Sequence, residues 1–397
     1  MSVSPFTEAV LAQCALSDGQ TQATTVMDVQ KIFNRHGATE VYQRIATKRH
    51  ATDGNQIDHG LDRGLERARL ARDLSMPFNP EIGTFAHYGD VAYHQEAPDF
   101  SDFASIHLPA QRWTDLTIEQ MLDPLRAYGA LVAREILATG VTVNVWDIGN
   151  EVEMGMTGVA VRPLVRAEDY VAPDNVDPEL GRRSVMELIQ SSESDRISWS
   201  RTHLWPHIGQ LAGAVAQGIR SVDRHARFST HISSFGQKTP TIAAAFWDTL
   251  RENGYLPDHL GCSFWGLQGS SMYGPSDTLA WLRDTASALK QRFDRPMFLA
   301  EYGYPSAHMP PPFTWNDLQP GYGQDEDGQF HYTRDVIAWA LESGAISGVR
   351  PWAPDYCTSP GWGPMAWFRR DGATAVARPV LDSLAAAVRQ CQNAPAS

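Results

Sequence analysis

The sequence predicts a single (β/α)8 barrel, a TIM barrel with long insertions after its third and fourth strands. Three observations predict it. Short apolar runs alternate with longer stretches of helical periodicity, the pattern of repeated βα units. Two of those runs stop abruptly on a glutamate, Glu151 and Glu301, 150 positions apart. If these residues close the fourth and seventh strands, three βα units take 150 residues, and eight take about 400, which is essentially the whole chain of 397. A doubly wound sheet serving a nucleotide would carry a glycine-rich phosphate loop, and neither GxGxxG after a strand nor a Walker A motif occurs. With no internal repeat, low-complexity tract or linker to divide it, residues 1–397 read as one domain.

The elements follow in order. The weakest run, residues 9–15, is taken as strand one. Residues 38–46 are strand two, followed by a helix over 61–74. Strand three covers 76–85 and is made irregular by Pro77 and Pro80. A long connection, 86–113, leads to a helix over 118–139 with Leu122, Leu125, Leu131, Val132 and Ile136 at helical spacing. Strand four is 141–149. The longest insertion, 152–194, is rich in charge and proline, and a loop of that length in a compact domain is usually functional. A helix through Leu204, Ile208, Leu211, Val215 and Ile219 precedes strand five at 227–233. Strands six, seven and eight fall at 259–265, 296–302 and 346–352, and a helix at 380–391 closes the chain.

Composition narrows the partners. A formal net charge of -13 argues against nucleic acid and anionic membrane surfaces. No apolar run approaches the ~18 residues of a membrane span. The first residues lack a basic segment followed by an apolar one, so a cytoplasmic location is expected, with oligosaccharides already inside the cell as substrates; a signal peptide removed upstream would make the protein secreted instead. Cys14, Cys262, Cys357 and Cys391 have no ligand-like spacing and read as reduced, mostly buried thiols. Oligomeric state is not legible.

The chemistry gathers at strand ends. Asn144-Val145-Trp146-Asp147-Ile148 is apolar and β-rich, and Gly149-Asn150-Glu151 then presents an amide and a carboxylate where barrel enzymes keep their catalytic groups. Pro296-Met297-Phe298-Leu299-Ala300-Glu301 ends the same way. Two carboxyls across a barrel mouth suit hydrolysis of a glycosidic bond, one kept protonated and one ionised by their surroundings. Asn150 is placed to hydrogen-bond a sugar hydroxyl beside the anomeric carbon. Trp265 and Trp352 end strands and serve equally as core or as sugar platforms; Trp113 and Trp146 read as packing. His231 is either a core histidine or a partner behind a glutamate. Glu153 reads as a loop carboxylate. Asp325-Glu326-Asp327-Gly328 reads as an acidic loop capping a helix, so no metal and no cofactor is expected.

These motifs in this order resemble glycoside hydrolase clan A, and most of all family 53, the arabinogalactan endo-β-1,4-galactanases. The resemblance is carried by Val41-Tyr42-Gln43-Arg44, Asp99-Phe100-Ser101-Asp102, Leu108-Pro109-Ala110-Gln111-Arg112-Trp113, Asp147-Ile148-Gly149-Asn150-Glu151, His231, Gly261-Cys262-Ser263-Phe264-Trp265, Ala300-Glu301-Tyr302-Gly303-Tyr304-Pro305 and Gly348-Val349-Arg350-Pro351-Trp352. It implies a retaining hydrolase of β-linked glycosides, with Glu151 as acid/base and Glu301 as nucleophile. It further implies that Arg44 holds and polarises the nucleophile, that Trp352 floors the cleavage subsite, and that His231, Trp265 and Tyr302 belong to the substrate site. The chain departs from the family at Phe264-Trp265-Gly266, where a Tyr-Tyr-Pro-like segment is usual. It departs also at Trp352-Ala353-Pro354, where Trp-Glu-Pro is usual, and at Tyr42, where an arginine is usual. Those positions face sugar in the family, so they set substrate choice rather than mechanism. Two other classes are weighed beside it: a carbohydrate-binding barrel without turnover, and a metal-dependent isomerase or aldolase, for which no ligand set can be assembled from the strand ends.

Overall fold

A computed structural model of the chain describes residues 1–54, 56–236, 238–269, 277–313 and 315–393. It begins with α1 (Thr7–Leu11), β1 (Ala15–Ser17), β2 (Gln22–Ala23) and α2 (Val26–Arg35). Next come β3 (Val41–Ile45), α3 (Leu61–Asp73), β4 (Phe78–Ile82), α4 (Ile118–Ala138) and β5 (Trp146–Ile148). The hairpin β6 (Gly155–Met156) and β7 (Val159–Ala160) is followed by α5 (Val185–Gln190), α6 (Glu193–His203) and α7 (Trp205–Arg220). Then β8 (Phe228–Ile232), α8 (Pro240–Glu252), β9 (His259–Trp265), α9 (Thr278–Phe293), β10 (Met297–Gly303), α10 (Glu326–Ser343) and β11 (Ile346–Pro351) continue the alternation. Finally β12 (Phe368–Asp371), β13 (Thr374–Ala377) and α11 (Ser383–Asn393) end it. The chain gathers into two compact units, Met1–Tyr42 with Cys262–Ser397, and Gln43–Gly261.

In the Gln43–Gly261 unit, β8, β5, β4 and β3 neighbour one another in that order. The ladder is parallel, with Glu81 opposite Asp147 and Trp146 opposite Phe228. The strands are buried on both faces, as expected where helices cover a parallel sheet. In the other unit β11, β10 and β9 follow in order, with Met297 opposite Ile346 and register shifts on either side of Leu299. There β1, β2, β12 and β13 form a separate four-stranded sheet. Among the described residues no helix is long and apolar enough to cross a membrane.

Seven of the eight expected parallel strands are found among the described residues, and the first is corrected. Residues 9–15 were expected to be strand one, but Thr7–Leu11 is helical and the Cys14 N–H continues the turn onto the Val10 carbonyl at 3.0 Å. The reason is local: Ala9, Leu11 and Ala12 are good helix formers, and the buried Thr7 and Val10 lie three apart, a helical spacing that so short an apolar run did not resolve. The extended residues just after it, β1, pair with β13 in the small sheet. Strand four is also shorter than expected. Only Trp146–Ile148 keeps ladder geometry, while the preceding residues are tied to β4 by Phe78 N–H donating to Thr142 at 2.8 Å and Asn79 Nδ2 donating to Val145 at 3.0 Å.

The two helices behind β5 approach closely because glycines face the contact. α4 opens with a capping box between Thr117 and Gln120, and α7 with Pro206 in its first turn. A Cβ at Gly129 of α4 would stand 2.5 Å from the Val215 carbonyl oxygen, and one at Gly218 of α7 would stand 2.1 Å from that of Arg126. Backbone sits opposite in each case, so relief requires moving a helix rather than a side chain. The expected result is that Gly218→Ala lowers unfolding free energy by about 2 kcal/mol in a denaturant titration. An unchanged midpoint would show that this close approach is absent in solution.

Candidate active site

At the carboxyl end of β5 the chain turns sharply enough to need unusual backbone. Gly149 has φ +80, and a Cβ there would meet Val152 Cγ1 at 2.3 Å. Glu151 itself is left-handed, at φ 49 and ψ 55, before a 3-10 turn over Val152–Met154. A non-glycine residue held in that region is strained, and such strain concentrates at functional sites. Two other strand exits show it, at Thr84 (φ 56) two residues past β4 and Ala353 (φ 42) two past β11.

A buried polar cluster fixes this turn. Arg44, on β3, donates through Nε to Glu81 Oε1 on β4 at 2.5 Å and through Nη2 to Asn150 Oδ1 at 2.8 Å. Asn150 Nδ2 in turn donates to the Gly89 carbonyl at 2.6 Å, and Gln95 Nε2 donates to the Asn150 carbonyl at 3.0 Å. The segment between Gly89 and Gln95 is thereby laid across the turn, and the Val91 N–H reaches Glu151 Oε2 at 3.3 Å. Asp90 shapes that segment: Oδ1 accepts from the Ala92 and Tyr93 N–H groups and Oδ2 from the Tyr88 hydroxyl at 3.0 Å. Burial pushes the Asp90 carboxyl above the usual carboxylate range against the pull of these bonds and of Arg44. Tyr88 also presents its ring to the Arg44 guanidinium at 5.7 Å. Arg44, Asn150 and Glu151 are therefore brought together, with the first predicted insertion supplying the contacts; the resemblance implied Arg44 beside the nucleophile, and the bonds described here tie it to Glu81 and Asn150.

Glu153, two residues on, has a different environment. It is 1% exposed, accepts from the Ser233 N–H at 3.0 Å and from the Ser233 hydroxyl, and its own carbonyl accepts from Trp205 Nε1 at 3.0 Å. It is a structural carboxylate of the loop, raised in pKa by burial. His231 lies within β8, 1% exposed, where Gly261 leaves room for it: a Cβ at Gly261 would stand 2.5 Å from that of His231.

In the other unit Glu301 sits near the end of β10 and is 7% exposed. Arg350, on β11, donates through Nε to the Ala300 carbonyl at 2.6 Å and lies 3.9 Å over the Tyr42 ring, so a cation braces the backbone just before Glu301. Tyr302, expected to contact sugar, has a ring 1% exposed and its hydroxyl bonded to Thr333 Oγ1 of α10 at 3.0 Å. Trp265 and Trp352 belong to one aromatic cluster. Trp265 stacks on Trp315 at 5.0 Å and 20°, Trp362 lies 5.6 Å from Trp265 and 6.4 Å from Trp352, and Phe313 closes on Trp362 at 4.5 Å. Trp265 is buried, whereas Phe313, Trp315, Trp352 and Trp362 keep partly open faces.

Trp113 and Trp146 are packing residues, with indole N–H groups on the Thr157 carbonyl at 2.7 Å and Asp223 Oδ2 at 3.0 Å. Asp325 caps α10 by accepting from the Gly328 N–H at 2.7 Å. The sequence reading did not single out Glu81, Asp90, Arg350, Trp315 or Trp362. Glu81 had a signal, an acid at an inward position of a predicted strand. The others lie in loops or on a strand already credited with a different residue.

The loop carboxylate Glu153 makes a pH prediction. Because the folded-state pKa of Glu153 is raised, its contribution to stability is complete at acid pH and is lost as pH rises through the folded value. Glu153→Gln should therefore gain stability relative to the parent as pH rises above the ordinary carboxylate range, while retaining activity; melting temperatures from pH 4 to 8 that run parallel would contradict it.

Comparison with known proteins identifies the family and the fold. The family model for glycosyl hydrolase family 53 matches residues 9–378. The catalytic domain of a family 53 enzyme from Ignisphaera aggregans superposes with a TM-score of 0.65 at 15% identity, covering 96% of this chain and 94% of that one. A structure of fungal β-1,4-galactanases superposes with a TM-score of 0.68 at 15% identity, covering 97% and 98%. An uncharacterized protein encoded in the bgaB 5' region of Niallia circulans is 24% identical over 258 residues, 62% of this chain and 59% of that protein, so the match spans under two thirds of that relative. The solved structures show the fold, a (β/α)8 barrel, and the family model shows the lineage: the chain belongs to glycosyl hydrolase family 53 and is a glycoside hydrolase.

Proposed function

We propose that this glycoside hydrolase cleaves β-linked oligosaccharides with retention of configuration, Glu301 attacking the anomeric carbon and Glu151 protonating the leaving oxygen. The observation that carries the reading is the fixed turn at Asn150-Glu151, held by Arg44, the Gly89 carbonyl and the Val91 N–H. A general acid must be aimed and shielded from bulk water, and an 8% exposed carboxylate locked by its neighbours answers both needs. Retaining hydrolysis needs a second carboxyl about 5–5.5 Å away to form the glycosyl-enzyme. Glu301, at a strand end braced through Ala300 by Arg350, is the residue proposed for it.

The first step breaks the glycosidic bond and forms a Glu301–sugar ester as Glu151 gives up its proton. The second step reverses these roles, with Glu151 taking a proton from water that displaces Glu301. Asn150 keeps one free lone pair on Oδ1 and one hydrogen on Nδ2 beyond its two protein bonds, enough to meet a sugar hydroxyl. The partly open indoles of Trp352, Trp315 and Trp362 offer faces for sugar rings. β-1,4-linked galactan fragments are the first substrates to try, because the fungal relatives are β-1,4-galactanases. The segments at residues 264–266 and 352–354 are where substrate choice should diverge.

Kinetics of two variants test the roles separately. Glu301→Gln should lose at least about 10^4-fold in kcat/KM on an oligosaccharide and on an activated aryl β-glycoside alike. Glu151→Gln should lose about 10^2–10^4-fold on the oligosaccharide but far less on the aryl glycoside, whose leaving group needs no proton. Equal losses on both substrates for Glu151→Gln would remove it as the acid.

A further inference from the structure

Two cysteines that are 343 positions apart meet in the Met1–Tyr42 with Cys262–Ser397 unit. The thiols of Cys14 and Cys357 are close enough to act on one another, and both are free. They stand at the end of a line of contacts between the chain around α1 and the segment leaving β11. Phe6 stacks on Tyr356 at 3.9 Å and meets Trp352 edge-on at 6.0 Å. Thr7 Oγ1 donates to Asp355 Oδ2 at 2.5 Å, and Gln13 Nε2 donates to Thr358 Oγ1 at 3.3 Å. The residues beside each cysteine are thus joined independently of the sulfurs, which holds the pair in register. Cys14 is buried and Cys357 half-buried.

We propose that Cys14 and Cys357 are a disulfide site, closed by a disulfide oxidant such as oxidised glutathione, that staples the α1 segment to the loop carrying Trp352. The half-buried Cys357 is the thiol a reagent can reach. Its thiolate attacks one sulfur of glutathione disulfide, forming a mixed disulfide and releasing one glutathione. The Cys14 thiolate then attacks the Cys357 sulfur, forming the protein S–S bond and releasing the second glutathione. Two protons and two electrons leave the protein thiols and reappear on the two glutathione thiols. Burial and the neighbouring thiol push the Cys357 pKa up to about 12, so the step is slow near neutrality and speeds as pH rises. Because the ring closed is very long, the crosslink removes much freedom from the unfolded chain and should raise thermal stability.

The experiment is differential alkylation with peptide mapping of the full chain, before and after equilibration with oxidised glutathione at pH 8.5. The expected result is loss of free thiol at Cys14 and Cys357 only, a crosslinked peptide pair, and a melting temperature higher by about 5 °C that dithiothreitol reverses. Cys14→Ser should then accumulate the glutathione adduct at Cys357 and show no such rise. Full alkylation of both residues in the oxidised protein would overturn the proposal, as would a glutathione adduct that parent Cys357 never resolves or pairing with Cys262 or Cys391. The peptide map of the parent reads the pairing directly even if the variant fails to fold.

Discussion

The buried guanidinium of Arg44 is the constraint on which the turn at Asn150-Glu151 depends. It is 1% exposed, and its carboxylate partner Glu81 is wholly buried. Taking both charges out of water costs several kcal/mol that an apolar pair would not incur, so the ion pair is poor value as a source of stability. Its yield is position. One guanidinium nitrogen binds Glu81 and another binds Asn150, which fixes the amide whose other end holds Gly89. The following segment then presents the Val91 N–H to Glu151. Removing either charge would leave the other buried without this ion pair, which costs more than the pair itself is worth.

A second constraint is backbone strain at strand exits. Glu151, Thr84 and Ala353 all adopt positive φ within three residues of a strand's carboxyl end. Ordinary loop geometry would not require it. A left-handed residue turns the chain in one step at a cost in backbone energy, and such strain concentrates at functional sites. Around Glu301, the proposed nucleophile, the device is different: register shifts in the β10–β11 ladder and the Arg350 bond to the Ala300 carbonyl set the residue before it.

Much of this was legible in the sequence. Strands two to eight were found because each is a compact apolar run punctuated by polar residues, and Glu151 and Glu301 stood out as candidates because a carboxylate after such a run is conspicuous. What escaped has physical reasons. Residues 9–15 were apolar but too short to separate helix from strand, and their helix formers decided the outcome. The bond of the Tyr302 hydroxyl to Thr333 of α10 joins residues 31 positions apart, which the sequence does not show. Glu81 acts through Arg44, 37 positions away, and Asp90 shapes a loop through the Tyr88 hydroxyl and local N–H groups, where composition gives no signal. The meeting of Cys14 with Cys357 depends on the path of the whole chain, which no spacing rule encodes. Trp315 and Trp362 sit in proline- and glycine-rich loops where composition suggests a turn but gives no clue that two indoles converge.

The central claim is that Glu301 becomes covalently bonded to sugar during turnover. The most direct measurement is mass spectrometry of the protein after incubation with a 2-deoxy-2-fluoro-β-glycoside bearing a good leaving group and a sugar the enzyme turns over. The account predicts one added glycosyl group, recovered on the peptide containing Glu301 and lost on incubation with an acceptor. A label on any other carboxylate, or steady turnover with inverted product and no adduct, would contradict it.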